Sequence, residues 1–346
     1  MPRGYSLDVT LLPSLTLPMF ERRGPKFVKM LGHRRKAELA QVGEWLHFDG
    51  ASEAEVRLWS GLWWDPAEHA QKVSSELKSV VEALLSAYRG LRLSVSPKDY
   101  EVIFAAAFLS RTTDYYANVV RWIRLMSPDG TLNTSLAPQV GSSFQLRQLP
   151  EVISSLRRIL PLPSDPWEAR QRLLALKWVG PKVADAFLLF SGITTELAPA
   201  DVHYMRLGVK LGLLSPRAKA PSKSACLKWT CPECPRSDSC STGVSLESLG
   251  PLAGWVQTVL YTHDRLFCSR RRCASCPLIQ FCDSPMAKRK PPSENHDLSG
   301  QNPQSGCLPG AHHVWEVQND HAASRREDGV RQGPHEYVGF LGPKPG

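Results

Sequence analysis

Two groups of cysteines constrain this chain more than any other feature. Eight of its nine cysteines repeat one spacing, C-x4-C-x2-C-x5-C, so each group occupies a short segment. The first group is Cys226, Cys231, Cys234 and Cys240, and the second is Cys268, Cys273, Cys276 and Cys282. Four thiols in so short a segment are typical of a loop that closes around a shared partner. We call these segments the first and the second cysteine loop.

The cellular compartment and the spacing of the cysteines indicate what each cysteine loop binds. Residues 1–10 lack the basic-then-apolar layout of a secretory signal, and no apolar run is long enough to cross a membrane, so we expect a cytoplasmic protein. A reducing cytoplasm disfavours disulfides, which leaves zinc or an iron–sulfur cluster. Paired zinc sites usually place C-x2-C on both sides of a long spacer. Here single cysteines flank one C-x2-C, which predicts a [4Fe-4S] cluster in the second loop and leaves [4Fe-4S] or zinc open for the first.

The charge of the chain indicates a partner rich in phosphate. The net charge is +9, and because residues 284–346 are balanced in charge, the excess lies in residues 1–283. Such a basic surface suits a phosphate-rich partner, although a soluble basic protein without such a partner has the same balance. Arg270, Arg271 and Arg272 lie between two cysteines of the second loop and are predicted to bind phosphates. The alternative is a solvated rim that offsets a negatively charged cluster.

Changes in composition and in hydrophobic periodicity along the chain predict four regions. Residues 1–62 are expected to form a small α+β N-terminal domain with an antiparallel sheet. Residues 66–266 read as a helical core that includes the insertion with cysteines 226–240, residues 268–282 as the cluster loop, and residues 284–346 as a disordered tail. Strands are predicted at residues 5–17, 27–31, 44–48 and 56–59. Helices are predicted at residues 66–88, 97–109, 114–126, 151–160, 166–176, 182–191, 202–214 and 245–261.

Residues 176–185 read as a helix, a short turn with glycine and a second helix. The turn, with Val179 and Gly180, can present backbone N–H groups to a phosphate. Lys182 opens the second helix, where positive charge is mildly unfavourable. It is either a surface lysine or an amine shielded from water, whose lowered pKa lets it attack an electrophilic sugar carbon.

Asp201 follows Lys182 by 19 residues and begins another helix signal. Its simplest role is an N-cap that accepts from free backbone N–H groups. A carboxylate near an attacking amine can also stabilise the cationic sugar that forms as a base departs.

These motifs resemble a known family. Lys182-Val-Ala-Asp185 with Asp201-Val-His203 resembles 8-oxoguanine DNA glycosylases, and the second cysteine loop after His263 resembles the iron–sulfur loop of endonuclease III. Together they are typical of the helix-hairpin-helix, Gly/Pro–Asp superfamily, and the resemblance covers residues 56–283. The resemblance implies a mainly α fold, a helix-hairpin-helix glycosylase core with a small N-terminal antiparallel β-sheet domain and Cys-rich metal loops.

The resemblance also implies roles. Lys182 matches the Schiff-base lysine and Asp201 the catalytic aspartate, His203 lies near the DNA backbone, and Arg111 fills the gap left by an extruded base. The implied protein is a monomeric, nucleoid-associated DNA glycosylase and AP lyase that acts on a damaged base in double-stranded DNA. The alternatives are a monofunctional glycosylase with a water molecule activated by Asp201, and a non-enzymatic DNA-binding metal-cluster protein. The damaged base stays open between 8-oxoguanine and an oxidised or mismatched pyrimidine.

The sequence departs from the family at three points. The family's hairpin usually reads Leu-Pro-Gly-Val-Gly, and here Lys177-Trp178 replaces Pro-Gly. The family's cluster loop usually has six residues between its first two cysteines, whereas this one has four. The first cysteine loop lies in an insertion that has no counterpart in endonuclease III.

Overall fold

The computed structural model describes residues 1–283 and 339–341 and confirms a mainly α fold with a small antiparallel sheet near the N-terminus. None of the helices in this part of the chain is long and apolar enough to cross a bilayer. The α-helices are α1 (Leu7–Leu11), α2 (Glu53–Trp59), α3 (Lys78–Ala87), α4 (Tyr100–Leu109), α5 (Arg121–Leu125), α6 (Ala137–Val140), α7 (Phe144–Ile159), α8 (Pro166–Ala175), α9 (Pro181–Phe190), α10 (Val202–Lys210), α11 (Lys223–Lys228), α12 (Ser241–Leu249) and α13 (Ala253–His263).

The sheet is antiparallel throughout, in the order β1-β2-β3-β4-β5. Its strands are β1 (Phe20–Arg23), β2 (Lys26–Lys29), β3 (Glu38–Val42), β4 (Trp45–Asp49) and β5 (Gly339–Leu341). Phe27 and Leu39, which are both buried, form a cross-strand pair between β2 and β3, and burial alternates along β4. The strand β5 falls within the predicted disordered tail, and the other residues of that tail lie outside the described residues.

Two segments predicted as strands are helical, so those predictions are wrong. Residues 5–17 contain α1, whose N-cap Ser6 accepts from the backbone N–H of Val9. Residues 56–59 lie inside α2, which begins with a capping box formed by Ser52 and Glu55. In both segments a serine cap decides the outcome, because a short apolar run alone does not distinguish a helix from a strand.

Three predicted helices are interrupted, and α6 and α11 were not predicted. The segment 66–88 begins with two short 3-10 turns before α3, and residues 114–126 begin with a π-helical turn, Tyr115–Val120. The segment 245–261 divides at Gly250, which has a positive φ of 50° and so ends α12.

One apolar core joins the sheet to the helices. A buried ion pair connects the sheet to α4. Nζ of Lys29 in β2 lies 2.9 Å from Oδ2 of Asp99, the residue before α4. The side chains of Lys29 and Asp99 are 0% and 2% exposed, so the sheet holds the N-terminal end of α4. The opposite end of that helix leads into the candidate site.

Candidate active site

A cleft of about 540 Å³ opens where the end of α4, the beginnings of α9 and α10, and the middle of α13 meet. Lys182, Asp201, His203 and Arg111 all line it, so the structure brings together four of the residues that the sequence singled out. Apolar walls with a few convergent polar groups are typical of a small-molecule site. A larger open depression, about 860 Å³, borders the sheet and contains none of these four residues.

Lys182 lies in the first turn of α9, and its Nζ contacts the hydroxyl and the carbonyl oxygen of Ser110. Burial lowers the pKa of Lys182; the carboxylate of Asp201 offsets part of this effect, and the charge of Arg111 adds to it. A lower pKa increases the fraction of neutral amine, which is the nucleophilic form.

Asp201 is the N-cap of α10, and both of its carboxylate oxygens are held. Oδ1 accepts from the backbone N–H of Tyr204 at 2.7 Å, and Oδ2 accepts from the side-chain amide of Gln257 at 2.9 Å. The capping role is therefore confirmed. The same cap fixes the carboxylate in the cleft that contains Lys182.

His203 contacts a buried carboxylate. Its Nδ1 lies 2.5 Å from Oδ2 of Asp264, which also accepts from Arg206 and from the hydroxyl of Ser269. Burial alone would raise the pKa of Asp264, but the hydrogen bond from His203 and the charge of Arg206 outweigh it and hold the pKa below its ordinary value. Asp264 thus ties α10 to the start of the second cysteine loop.

Arg111 is folded back onto the protein. Its guanidinium donates to the carbonyl of Phe108, to the carbonyl of Trp178 and to Oε1 of Gln148. Burial lowers its pKa to about 10. The predicted role in filling a gap in DNA requires that these contacts be released, and it stays a prediction.

The hairpin between α8 and α9 has an unusual turn. Trp178, at the position where the family has glycine, adopts a positive φ of 61°. The side chain of Val179 is buried, and Gly180 is the N-cap of α9. The backbone therefore keeps a left-handed turn without glycine, and a helix N-terminus lies next to Lys182.

The first cysteine loop packs beside the hairpin. The side chains of Cys226 and Cys231 are buried, and burial raises the pKa of Cys231 to about 12 although the charge of Arg170 opposes this. Arg170 contacts the sulfur of Cys226 and forms a buried ion pair with Asp185 of α9. Nζ of Lys223 in α11 donates to the carbonyl of Leu176 at 2.9 Å, so the insertion also contacts the hairpin turn.

The four sulfur-bearing side chains of the second loop line one small cavity together with Leu207, Phe267 and His263. Burial raises the pKa of Cys268 to about 11, with smaller contributions from Asp264 and from the neighbouring thiols. All eight cysteines of the two loops are free thiols. Within residues 1–283, no three Cys, His, Asp or Glu side chains are already arranged around a single metal ion. The metal assignments therefore stay predictions.

Arg270, Arg271 and Arg272 are exposed on the second loop. The backbone there is fixed, since the N–H groups of Arg271 and Arg272 donate to the carbonyls of Cys268 and Phe267. Among the described residues, none of the three guanidinium groups has a hydrogen-bond or ion-pair partner.

Several solved structures share this architecture. The 8-oxoguanine glycosylase/lyase of Clostridium acetobutylicum, in complex with double-stranded DNA containing cytosine opposite 8-oxoG, matches 75% of this chain and 92% of its own length, with a TM-score of 0.55 and 15% identity. Its apo form matches with a TM-score of 0.53. The 3-methyladenine DNA-glycosylase of Archaeoglobus fulgidus matches 75% of this chain and 94% of its own, with a TM-score of 0.50 and 14% identity. This chain has the helix-hairpin-helix DNA glycosylase fold. No protein-family model and no curated sequence matches it.

Within this glycosylase fold, sequence reasoning missed four residues that position the site. They are Ser110 beside the amine, Gln257 on the carboxylate, Tyr261 in the cleft wall, and Asp264 beneath His203. One sequence signal could have found Gln257, because it is a polar residue in the middle of an apolar helical run, and the structure buries it in α13. A buried polar side chain in such a place needs a partner.

Proposed function

We propose that this protein is a DNA glycosylase with AP lyase activity that removes a damaged base from double-stranded DNA. The observation that carries the proposal is the shared cleft, which holds an amine of lowered pKa, Lys182, and a carboxylate fixed by two hydrogen bonds, Asp201. The glycosylase fold supports it, as does the damaged DNA named in the complex of the Clostridium protein.

The chemistry requires the target nucleotide to leave the duplex, because its sugar carbon C1′ is unreachable in the stack. The neutral amine of Lys182 then attacks C1′ while the bond to the base breaks, and the base leaves with the bonding electrons. Asp201 stabilises the positive charge that develops on the sugar. One proton of the attacking amine passes to the departing base. The C1′–O4′ bond then breaks, O4′ takes the bonding electrons and the second proton, and an imine between Nζ and C1′ remains. Loss of a proton from C2′ then expels the 3′ phosphate, which is the lyase step, and water releases the enzyme.

Three surfaces are proposed to bind the DNA backbone. The turn with Val179 and Gly180 presents the N-terminus of α9, which favours a phosphate. His203 lies at the rim of the cleft, and residues 270–272 supply exposed cations. Arg111 would enter the DNA where the base has left.

The second cysteine loop is proposed to hold a [4Fe-4S] cluster, since its four thiols line a single cavity with apolar walls. The first loop is proposed to hold a structural [4Fe-4S] cluster or zinc. When bound, these groups would supply rigidity to the loops, and the sugar chemistry stays with the side chains of the cleft. Metal analysis of anaerobically purified protein separates the cases: about eight iron atoms per chain indicates two clusters, and about four with one zinc assigns zinc to the first loop.

Borohydride trapping tests the nucleophile. Wild-type protein incubated with a duplex containing one damaged base should give a covalent adduct after reduction, and Lys182→Gln should abolish it. Lys177→Gln is the matched control, because Lys177 lies in the same hairpin but its side chain is 64% exposed and paired with Glu151. A panel of single-lesion duplexes would identify the damaged base.

An adduct that persists in Lys182→Gln would place the nucleophile elsewhere. Base excision without strand cleavage in wild-type protein would instead indicate a monofunctional glycosylase, in which Asp201 activates water. Binding to damaged DNA with neither activity would leave a DNA-binding protein only.

A further inference from the structure

His263, at the end of α13, is buried and has a partner at each ring nitrogen. Nδ1 lies 2.7 Å from the hydroxyl oxygen of Tyr88, and Nε2 lies 3.4 Å from the sulfur of Cys276. The ring of His263 stacks on Phe267, with centroids 5.0 Å apart. His263 is 2% exposed and Tyr88 is 0% exposed, so both contacts are made away from water. Neither residue lines the cleft that contains Lys182.

The direction of these hydrogen bonds follows from chemistry. Among the described residues, Nδ1 of His263 is the one acceptor within reach of the buried O–H of Tyr88, so Tyr88 donates to it. An imidazole that accepts at Nδ1 carries its proton on Nε2, and this N–H faces the sulfur of Cys276. A sulfur that binds metal has no proton to donate, so in the loaded loop it can only accept.

We propose that His263 is a positioning residue that donates its Nε2–H to the Cys276 sulfur of the bound cluster, with Tyr88 fixing the tautomer that makes this possible. The inference rests on the cluster proposed for the second loop. A donor to a ligand sulfur stabilises the more negative, reduced cluster, so it raises the reduction potential.

The same contact joins two parts of the proposed enzyme. α13 carries Gln257 in the cleft wall, and the second loop carries residues 270–272 on its surface. His263 is the last residue of that helix, and Cys276 belongs to that loop. The hydrogen bond therefore fixes the loop against the helix that supports Asp201.

The reduction potential of the cluster in the full chain tests the inference. Tyr88→Phe combined with His263→Phe removes the donor and keeps the stacked ring, and it avoids a buried hydroxyl without a partner. We expect the double variant to have a lower reduction potential than the wild type. For a one-electron couple, a shift of about 59 mV corresponds to a tenfold change in the equilibrium constant for reduction of the cluster. His263→Gln offers an amide N–H and should retain most of the wild-type potential. Tyr5→Phe is the matched control, since it removes a buried hydroxyl that donates to Ser60 in the N-terminal region.

Iron content is measured for each protein first. Wild-type protein without iron overturns both the cluster and this inference. Wild-type protein with iron, and a potential that is equal in wild type and the double variant, overturns the inference and leaves the cluster standing. If the double variant loses its iron, Tyr88→Phe combined with His263→Met carries the comparison, because methionine has no N–H donor and the buried hydroxyl is again removed. A potential in that variant equal to that of His263→Gln then overturns the inference.

Discussion

Asp185 and Arg170 form an ion pair inside the protein, and Asp185→Asn should show how much stability depends on it. Nε of Arg170 lies 2.5 Å from Oδ1 of Asp185, and Nη2 lies 3.2 Å from Oδ2. Their side chains are 2% and 0% exposed. The asparagine keeps the shape of the side chain but leaves the buried guanidinium without its counter-charge.

The expected loss follows from burial. Removing one partner of a buried pair costs about 3–5 kcal/mol. Since about 1 kcal/mol shifts Tm by about 2–4 °C in a domain of about 150–250 residues, the variant should melt roughly 6–20 °C lower. Urea unfolding followed by tryptophan fluorescence measures the free energy directly. Glu168→Gln is the matched control: Glu168 pairs with Arg172 on the same helix, but both are about half exposed, so the loss should be below about 1 kcal/mol.

A second variant separates the missing counter-charge from damage to packing. Arg170→Met combined with Asp185→Leu removes both charges and fills the space, so it should recover most of the stability lost in Asp185→Asn. The reasoning is refuted if Asp185→Asn costs no more than Glu168→Gln, because the pair would then behave as a surface pair.

Three further predictions concern the proposed reaction and its DNA contacts. The amine of Lys182 must lose its proton to attack, so the single-turnover rate of excision should rise with pH and level off below the ordinary lysine pKa of 10.5. Arg111→Gln removes a neighbouring positive charge and should move the inflection of this profile to higher pH. An inflection that does not move would belong to another group. Asp201→Asn should raise the excision barrier by about 3 kcal/mol, roughly a hundredfold in rate, while DNA binding is kept; a folded variant with the wild-type rate would reduce Asp201 to a helix cap. Alanine at residues 270–272 should weaken binding to DNA of every sequence alike, and the slope of log K against log salt concentration should become shallower by about three units or less. An unchanged slope would show that these arginines form a solvated rim.

The sequence predicted the helical core well and the N-terminal region in part, since the predicted strands 27–31 and 44–48 match β2 and β4 but two other predicted strands do not form. Helices such as α9 have caps, helical periodicity and enough length for the pattern to be read. Residues 5–17 and 56–59 are short apolar runs, in which the periods of a helix and a strand cannot be distinguished. The serines at positions 6 and 52 were the local signals that should have decided these segments.

The sequence alone could identify only those residues of the candidate site that lie in a recognisable local motif. Lys182 lies in the first turn of a helix, directly after the turn with Val179 and Gly180. Asp201 caps the next helix and follows Lys182 by 19 residues. Gln257 and Asp264 act on partners 56 and 61 residues away in the chain, so their roles appear only once α10 and α13 pack together. The role of Asp201 as a cap is confirmed, while its catalytic role stays a prediction. The two roles are compatible, because one carboxylate can cap a helix and face a cleft at the same time.

The tryptophan in the hairpin turn links the first cysteine loop to the site. A residue other than glycine in the left-handed conformation costs roughly 1–2 kcal/mol, so Trp178 needs compensation. Arg111 donates to its carbonyl at 3.1 Å, and the amine of Lys177 lies 4.1 Å from its ring centroid. From the other side, Lys223 of the insertion holds the carbonyl of Leu176. The turn that begins the helix of the proposed nucleophile is thus supported by the segment that contains the first cysteine loop. That support gives a physical role to the segment that contains the first cysteine loop: it can stabilise a hairpin turn whose left-handed residue, Trp178, is not glycine.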